Sequence, residues 1–331
     1  MARKRKGRAL NGVLLLDKPQ GMTSNFALQK VRRLFGAQKA GHTGSLDPLA
    51  TGVLPICFGE ATKYSQYLLN ADKGYYTTAT LGDVRTTGDS EGEHVERFDV
   101  PPLSEALLLP VLSKFTGPID QVPSMYSALK HQGKPLYEYA RKGITVERPS
   151  RPITIYKLSL DAYRDTERET ELDLTVECSK GTYIRSLVED IGQALACGGH
   201  VSMLRRFKAG HFKLQDTVTM EEIENIADQA EGGAINPDLD QFLLPIDSLL
   251  PNTPKVCLKN ELASSILLGQ AVRIADAKIE PSLDLGLHCL YLVRDSESSD
   301  SEFSQEVFAG VVEVSEDGWI KAKRLVNFNQ E

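Results

Sequence analysis

Residues 41–52 run Gly41-His42-Thr43-Gly44-Ser45-Leu46-Asp47-Pro48-Leu49-Ala50-Thr51-Gly52. The glycines permit sharp turns, and Pro48 removes a donor and stiffens the chain. A single carboxylate, Asp47, stands in the middle. With little periodicity, residues 41–59 read as one long structured loop. A long loop inside a compact domain is often functional. On residue chemistry alone, Asp47-Pro48 reads first as the start of a turn.

Before this stretch, residues 13–16 read as a short strand turned by Asp17-Lys18-Pro19-Gln20-Gly21. A helix follows, capped by Ser24, with Ala27, Val31 and Leu34 on one face and Gly36 at its end. After it, residues 61–69 read as a helix, 75–81 as a strand and 103–115 as a helix. Residues 124–143 are a basic, tyrosine-bearing excursion in which Pro135 opens a short helix and Gly143 closes it. Strands over 153–162 and 172–178 flank a hairpin turn at 165–168. In the second, Leu172, Leu174, Val176 and Cys178 alternate with polar residues. Ile184, Leu187, Val188, Ile191 and Leu195 stripe a helix. Residues 200–212 read as a strand, and Thr219 with Glu222 forms a capping box. Pro251 and Pro254 mark a domain boundary. Beyond it lie a short helix (261–268) and strand-like runs at 271–275, 287–293, 307–314 and 319–326, with a low-complexity acidic loop at 295–306. Strands and helices mix without regular βαβ alternation, so the expected class is α+β.

The 331 residues are 41% hydrophobic and 25% charged, ordinary for a soluble globular protein. No run approaches the length of a membrane span. Arg3, Lys4, Arg5, Lys6 and Arg8 ahead of Leu14, Leu15 and Leu16 imitate a signal peptide. Asp17, Lys18 and Pro19 cut that stretch short, and no small-residue cleavage site follows. The expectation is a cytoplasmic protein with no membrane partner and a basic arm at residues 1–9. The five cysteines form no C-x-x-C, and no histidine pair has ligand spacing, so reduced thiols and no metal are expected. The net charge of -7 hides an asymmetry. Residues 1–214 carry 30 Lys+Arg against 23 Asp+Glu, and residues 215–331 carry 8 against 22. Phosphate responds to local potential, so the first two thirds can hold nucleic acid despite the chain total.

The sequence GHTGSLDPLATGVLPICFGEATK, residues 41–63, resembles the signature motif of the TruB-type tRNA pseudouridine synthases. Asp72-Lys73-Gly74-Tyr75 resembles the family's tyrosine motif. Cys178-Ser179-Lys180-Gly181-Thr182-Tyr183-Ile184-Arg185 resembles its arginine motif, and Val201-Ser202-Met203-Leu204-Arg205-Arg206 its leucine-arginine motif. The opening Asn11-Gly12-Val13 to Gln20-Gly21 matches as well. The resemblance runs from about residue 10 to 213 and more loosely to 327. It implies a pseudouridine synthase domain over 10–250 with a mixed, mainly antiparallel central sheet. It also implies a thumb-like insertion near 124–143 and a small β-rich, PUA-like RNA-binding module over 251–331.

The resemblance assigns roles. Asp47 becomes the catalytic carboxylate, acting as uridine loses its C1′–N1 bond, rotates and rejoins through C5. A carboxylate there can stabilise the sugar cation, attack it, or take a proton from C2′. Arg185 pairs with Asp47 and keeps it ionised. Tyr75 stacks on the uracil, Leu204 closes the pocket, and Tyr183 stands in the arginine motif beside the substrate. His42 fills the space left by the flipped base. Asp89 contacts extruded bases, although its segment departs from the family pattern. Lys63, Lys130, Lys134, Arg141, Lys142, Arg205 and Arg206 are candidate phosphate contacts. No cofactor is needed. The implied partner is the T arm of tRNA, modified at uridine 55 by a monomer without a guide RNA.

Three other readings compete. A non-catalytic RNA-binding protein on this scaffold would be favoured by loss of Asp47, Tyr75 or Arg185, and all three are present. A glycoside hydrolase commonly uses two carboxylates across the bond, whereas this motif pairs one with an arginine. Guide-dependent relatives are disfavoured by the 124–143 excursion, which resembles the insertion that grips the T arm directly.

Overall fold

The computed structural model describes residues 7–165, 170–230, 234–276, 283–294 and 305–328. The hairpin turn expected at 165–168 and the acidic loop at 295–306 therefore lie mostly outside the described residues, as does most of the basic arm.

The first fourteen strands are β1 (Gly12–Lys18), β2 (Ala40–His42), β3 (Thr51–Phe58), β4 (Lys73–Leu81), β5 (Asp83–Arg85), β6 (His94–Arg97), β7 (Gly117–Gln121), β8 (Lys130–His131), β9 (Lys134–Pro135), β10 (Arg151–Asp165), β11 (Thr170–Cys178), β12 (Gly199–Ala209), β13 (Phe212–Lys213) and β14 (Val218–Thr219). Ten of them form one sheet in the order β14-β1-β3-β12-β4-β11-β10-β7, with β2 paired to β3 and β13 to β12. The β1/β14 and β3/β12 junctions are parallel and the others antiparallel, which makes the sheet mixed and mainly antiparallel.

Helices α1 (Ser24–Leu34), α3 (Glu105–Lys114), α5 (Ile184–Ala194) and α6 (Met220–Ala227) pack on one face; the short α2 (Ser65–Leu69) and α4 (Leu136–Ala140) lie in connections. The stripe of α5 and the alternating apolar side of β11 meet in this core, where their burial from water supplies the driving force. Thr219 and Glu222 form the expected capping box of α6.

Two expectations change. The cap of α1 is Thr23, whose Oγ1 accepts from Phe26 N at 3.1 Å, while Ser24 is buried inside the helix. The loop foreseen at 41–59 is only 43–50, because β2 and β3 occupy its ends. β3 is buried along nearly its whole length, so it shows no alternation.

The C-terminal residues form a second, five-stranded sheet. Its strands are β15 (Lys255–Lys259), β16 (Val272–Arg273), β17 (Gly286–Arg294), β18 (Gln305–Val314) and β19 (Trp319–Leu325), in the order β15-β17-β18-β19-β16, with α7 (Asn260–Leu267) against it. The first of these was not foreseen. This sheet covers the other face of the large one. Val13, Leu15, Val53 and Cys57 share an apolar cluster with Cys289, Tyr291, Val311 and Val326.

Candidate active site

The short loop carrying Asp47 is tethered from three elements. Ser24 Oγ accepts from Leu46 N at 2.7 Å and donates to Leu46 O at 2.9 Å. Lys18, fully buried, donates Nζ to the carbonyls of Pro19 (2.9 Å), Met22 (2.7 Å) and Pro48 (3.5 Å). Arg206, 2% exposed, donates Nε to Val53 O at 2.7 Å, Nη2 to Gly44 O at 3.4 Å and Nη1 to Ser45 O at 3.5 Å. Asp47 also opens a turn, since Ala50 N donates to its carbonyl at 3.1 Å.

Arg185 meets this loop from the first turn of α5. Its Nε lies 3.0 Å from Asp47 Oδ2 and its Nη1 3.5 Å from Asp89 Oδ2. Nη1 also donates to Thr87 O at 2.9 Å, and Nη2 to Tyr126 O at 3.0 Å. A planar guanidinium can serve these partners at once, which an ammonium cannot. Burial pushes the Asp47 carboxyl above its ordinary range. Arg185 and Lys18 pull it back, and Asp89 adds to the rise.

A cavity of about 390 Å³ opens over this pair, lined by Asp47, Arg185, Tyr75, Leu204 and Tyr183 among others, a size suited to one small ligand group. Tyr75 on β4 and Leu204 on β12 enter from neighbouring strands. Burial pushes the Tyr75 phenol up, so it stays protonated. Tyr183 precedes α5 and is fixed by Gln121, whose Oε1 accepts from Tyr183 N at 2.8 Å and whose Nε2 donates to Tyr183 O at 3.0 Å.

Asp89 is buried in the 86–91 segment, where its Oδ1 accepts from Thr87 Oγ1 at 2.6 Å and Glu91 N at 3.2 Å. His42 stands at the end of β2, outside the cavity lining. Its Nδ1 is buried without a hydrogen-bond partner among the described residues, and burial together with the Arg206 charge pushes its pKa down. Lys130, Lys134, Arg141 and Lys142 are exposed on the 124–143 excursion, with Arg141 over the Tyr137 ring at 5.4 Å.

Three proposed phosphate contacts are engaged otherwise. Arg206 is buried under the Asp47 loop. Arg205 holds Asp17 with two nitrogens, at 2.7 and 3.2 Å. Lys63 pairs with the buried Glu60 and donates to Leu325 O at 3.3 Å, away from the cavity. Lys18, Ser24 and Tyr126 were missed; a lysine beside Pro19 gives no sign that it is buried. Among the described residues no group of three His, Cys, Asp or Glu side chains could share a metal ion.

Comparison with known proteins places the chain in a family. Residues 32–184 match the N-terminal domain of the TruB family pseudouridylate synthases, and residues 185–251 match the tRNA pseudouridylate synthase B C-terminal domain. The tRNA pseudouridine synthase B of Vibrio vulnificus is 49% identical over 100% of both chains. That of Aeromonas salmonicida is 48% identical over 100% of this chain and 99% of its own. The fold is shared with solved structures of a Cbf5-Nop10-Gar1 complex (TM-score 0.67, 24% identity, 95% of this chain and 84% of that one). It is also shared with an H/ACA RNP bound to a substrate RNA containing 2′-deoxyuridine (TM-score 0.67, 21% identity, 100% and 92%). The protein is thus one of the pseudouridine synthases, a class of isomerases. Within that class the chain belongs to the TruB family.

Proposed function

We propose that this enzyme isomerises uridine 55 in the T loop of tRNA, with Asp47 as the catalytic carboxylate. The observation that carries the reading is the 3.0 Å Asp47–Arg185 pair beneath Tyr75 and Leu204 in a cavity sized for one base. The T-loop uridine is stacked and must flip out to reach Asp47. Tyr75 and Leu204 then hold the base from two sides, and His42 fills the space it leaves. As C1′–N1 breaks, positive charge grows on the sugar beside the Asp47 carboxylate, which Arg185 keeps aimed. The base turns, C1′–C5 forms, and the C5 hydrogen leaves as a proton while N1 gains one.

Residues 251–331 serve as a PUA-like RNA-binding module in this reading. Lys130, Lys134, Arg141 and Lys142 grip the T-arm backbone directly, so that the enzyme works as a single chain without a guide RNA; its place of action in this reading is the cytoplasm. No helix among the described residues is long and apolar enough to cross a membrane.

The test is tritium release from tRNA transcript labelled at uracil C5, without added cofactor. Release by the normal protein, absence with Asp47→Ala and mapping of the product to position 55 support the proposal. Release only with an added guide RNA, or with Asp47→Ala, refutes it.

A further inference from the structure

Helix α5 carries a carboxylate that the mechanism above does not use. Glu189 follows Arg185 by four residues and so shares its side of the helix. Its carboxyl lies against the 86–91 segment, where a side chain on Gly88 would bring its Cβ to 2.6 Å from Glu189 Oε1. The neighbours of Gly88 are Thr87 and Asp89, two of the groups that hold the Arg185 guanidinium. The Glu189 side chain makes no hydrogen bond or ion pair with any described residue. The Arg185 guanidinium therefore pairs directly with Asp47 and Asp89 and acts through space on a third carboxylate, Glu189.

We propose that Glu189 is a positioning residue that sets how firmly Arg185 holds Asp47. The inference rests on Asp47 and Arg185 being the working pair, as proposed above. While Glu189 is neutral, the guanidinium is left to Asp47 and Asp89. When Glu189 is ionised, it draws on the same charge and loosens the hold on Asp47. The charged groups facing it are Arg185 and Asp190 on its own helix, Arg148 from the segment before β10, and Asp89 from the 86–91 segment. Burial outweighs the two arginines and pushes Glu189 up to about 7. The changeover thus falls near neutral pH rather than in the ordinary carboxylate range.

The experiment compares the full-length normal protein with Glu189→Gln, which fixes the neutral form. Carbon-13 NMR follows the Asp47 side-chain carboxyl between pH 5 and 9, with assignment by Asp47→Asn. In the normal protein this signal should show an inflection at the pH where Glu189 titrates, and Glu189→Gln should remove it. An Asp47 signal that ignores the Glu189 titration in the normal protein overturns the proposal, whether or not the variant folds. Turnover supplies a second readout. The ratio of kcat for Glu189→Gln to that of the normal enzyme should be near one at pH 6 and severalfold higher at pH 8.5, with KM unchanged. A ratio independent of pH marks Glu189 as merely structural and overturns the proposal. Absence of turnover in the normal protein would refute the proposed function while the NMR result still decides the coupling.

Discussion

The backbone carbonyl of Arg206 occupies the space that a side chain on Gly52 would need. A Cβ there would lie 2.2 Å from Arg206 O, and Gly52 has a φ of +103°. The two residues face each other across the parallel β3/β12 junction, and the same arginine clamps the Asp47 loop. Gly52→Ala is therefore expected to combine backbone strain with a clash against main chain. A loss of about 3 kcal/mol or more is expected, read as a lower denaturant midpoint. The folded fraction should also turn over more slowly, because the strands that anchor Asp47 must part. A variant as stable and active as the normal chain would refute this.

The pH profile carries a second prediction. Asp47 works ionised, and burial holds its pKa above the ordinary carboxylate range. Activity should therefore fail on acidification at a higher pH than an exposed aspartate would give. The Lys18 ammonium opposes that rise, so Lys18→Met should raise the Asp47 pKa further and shift the acid limb upward. Burial lowers Lys18 itself to about 8, so its charge acts on Asp47 only at pH values below that. Measurement of kcat from pH 4.5 to 9 decides; a limb that moves downward contradicts the assignment.

Lys63 offers a choice between two roles. Its Glu60 partner is 3% exposed and also accepts from Asn327 N at 2.6 Å. Lys63→Met should strand a buried carboxylate and cost about 2–4 kcal/mol. Glu60→Gln in the same chain should restore most of the loss, and tRNA affinity per folded molecule should hold. Weakened tRNA binding at unchanged stability would instead return Lys63 to the phosphate contacts.

The exposed cations of the 124–143 excursion should behave oppositely. Each of Lys130→Ala, Lys134→Ala, Arg141→Ala and Lys142→Ala should weaken tRNA binding while leaving the melting temperature in place. Where the side chain neutralises a phosphate, its removal should lower the slope of log affinity against log salt by about 1. Unchanged slopes in all four variants would remove the excursion from the RNA interface.

The amphipathic elements were legible because one periodicity ruled each of them. The alternation of β11, the stripe of α5 and the capping box of α6 are written in residue type. β3 was hidden because its two buried faces leave an unbroken apolar run, which carries no period. The buried cations were hidden for another reason. Lys18 satisfies its donors with the main-chain carbonyls of Pro19, Met22 and the more distant Pro48, and Arg206 with carbonyls of distant segments; nothing in the sequence marks a carbonyl as waiting for them. The exposed–buried alternation of β15 follows directly on Pro251 and Pro254, whose turn-forming character masks so short a strand.

The apolar cluster between the two sheets also sets an order of events during synthesis. Val13 and Leu15 are made long before Cys289, Tyr291, Val311 and Val326, which cover them. At a ribosomal pace of roughly 5–20 residues per second, that face of β1 waits on the order of 15–60 s for its cover. Throughout that interval the nascent chain displays a water-averse surface that the finished protein never shows. It is during this wait, and not after release, that a folding helper would have something to hold.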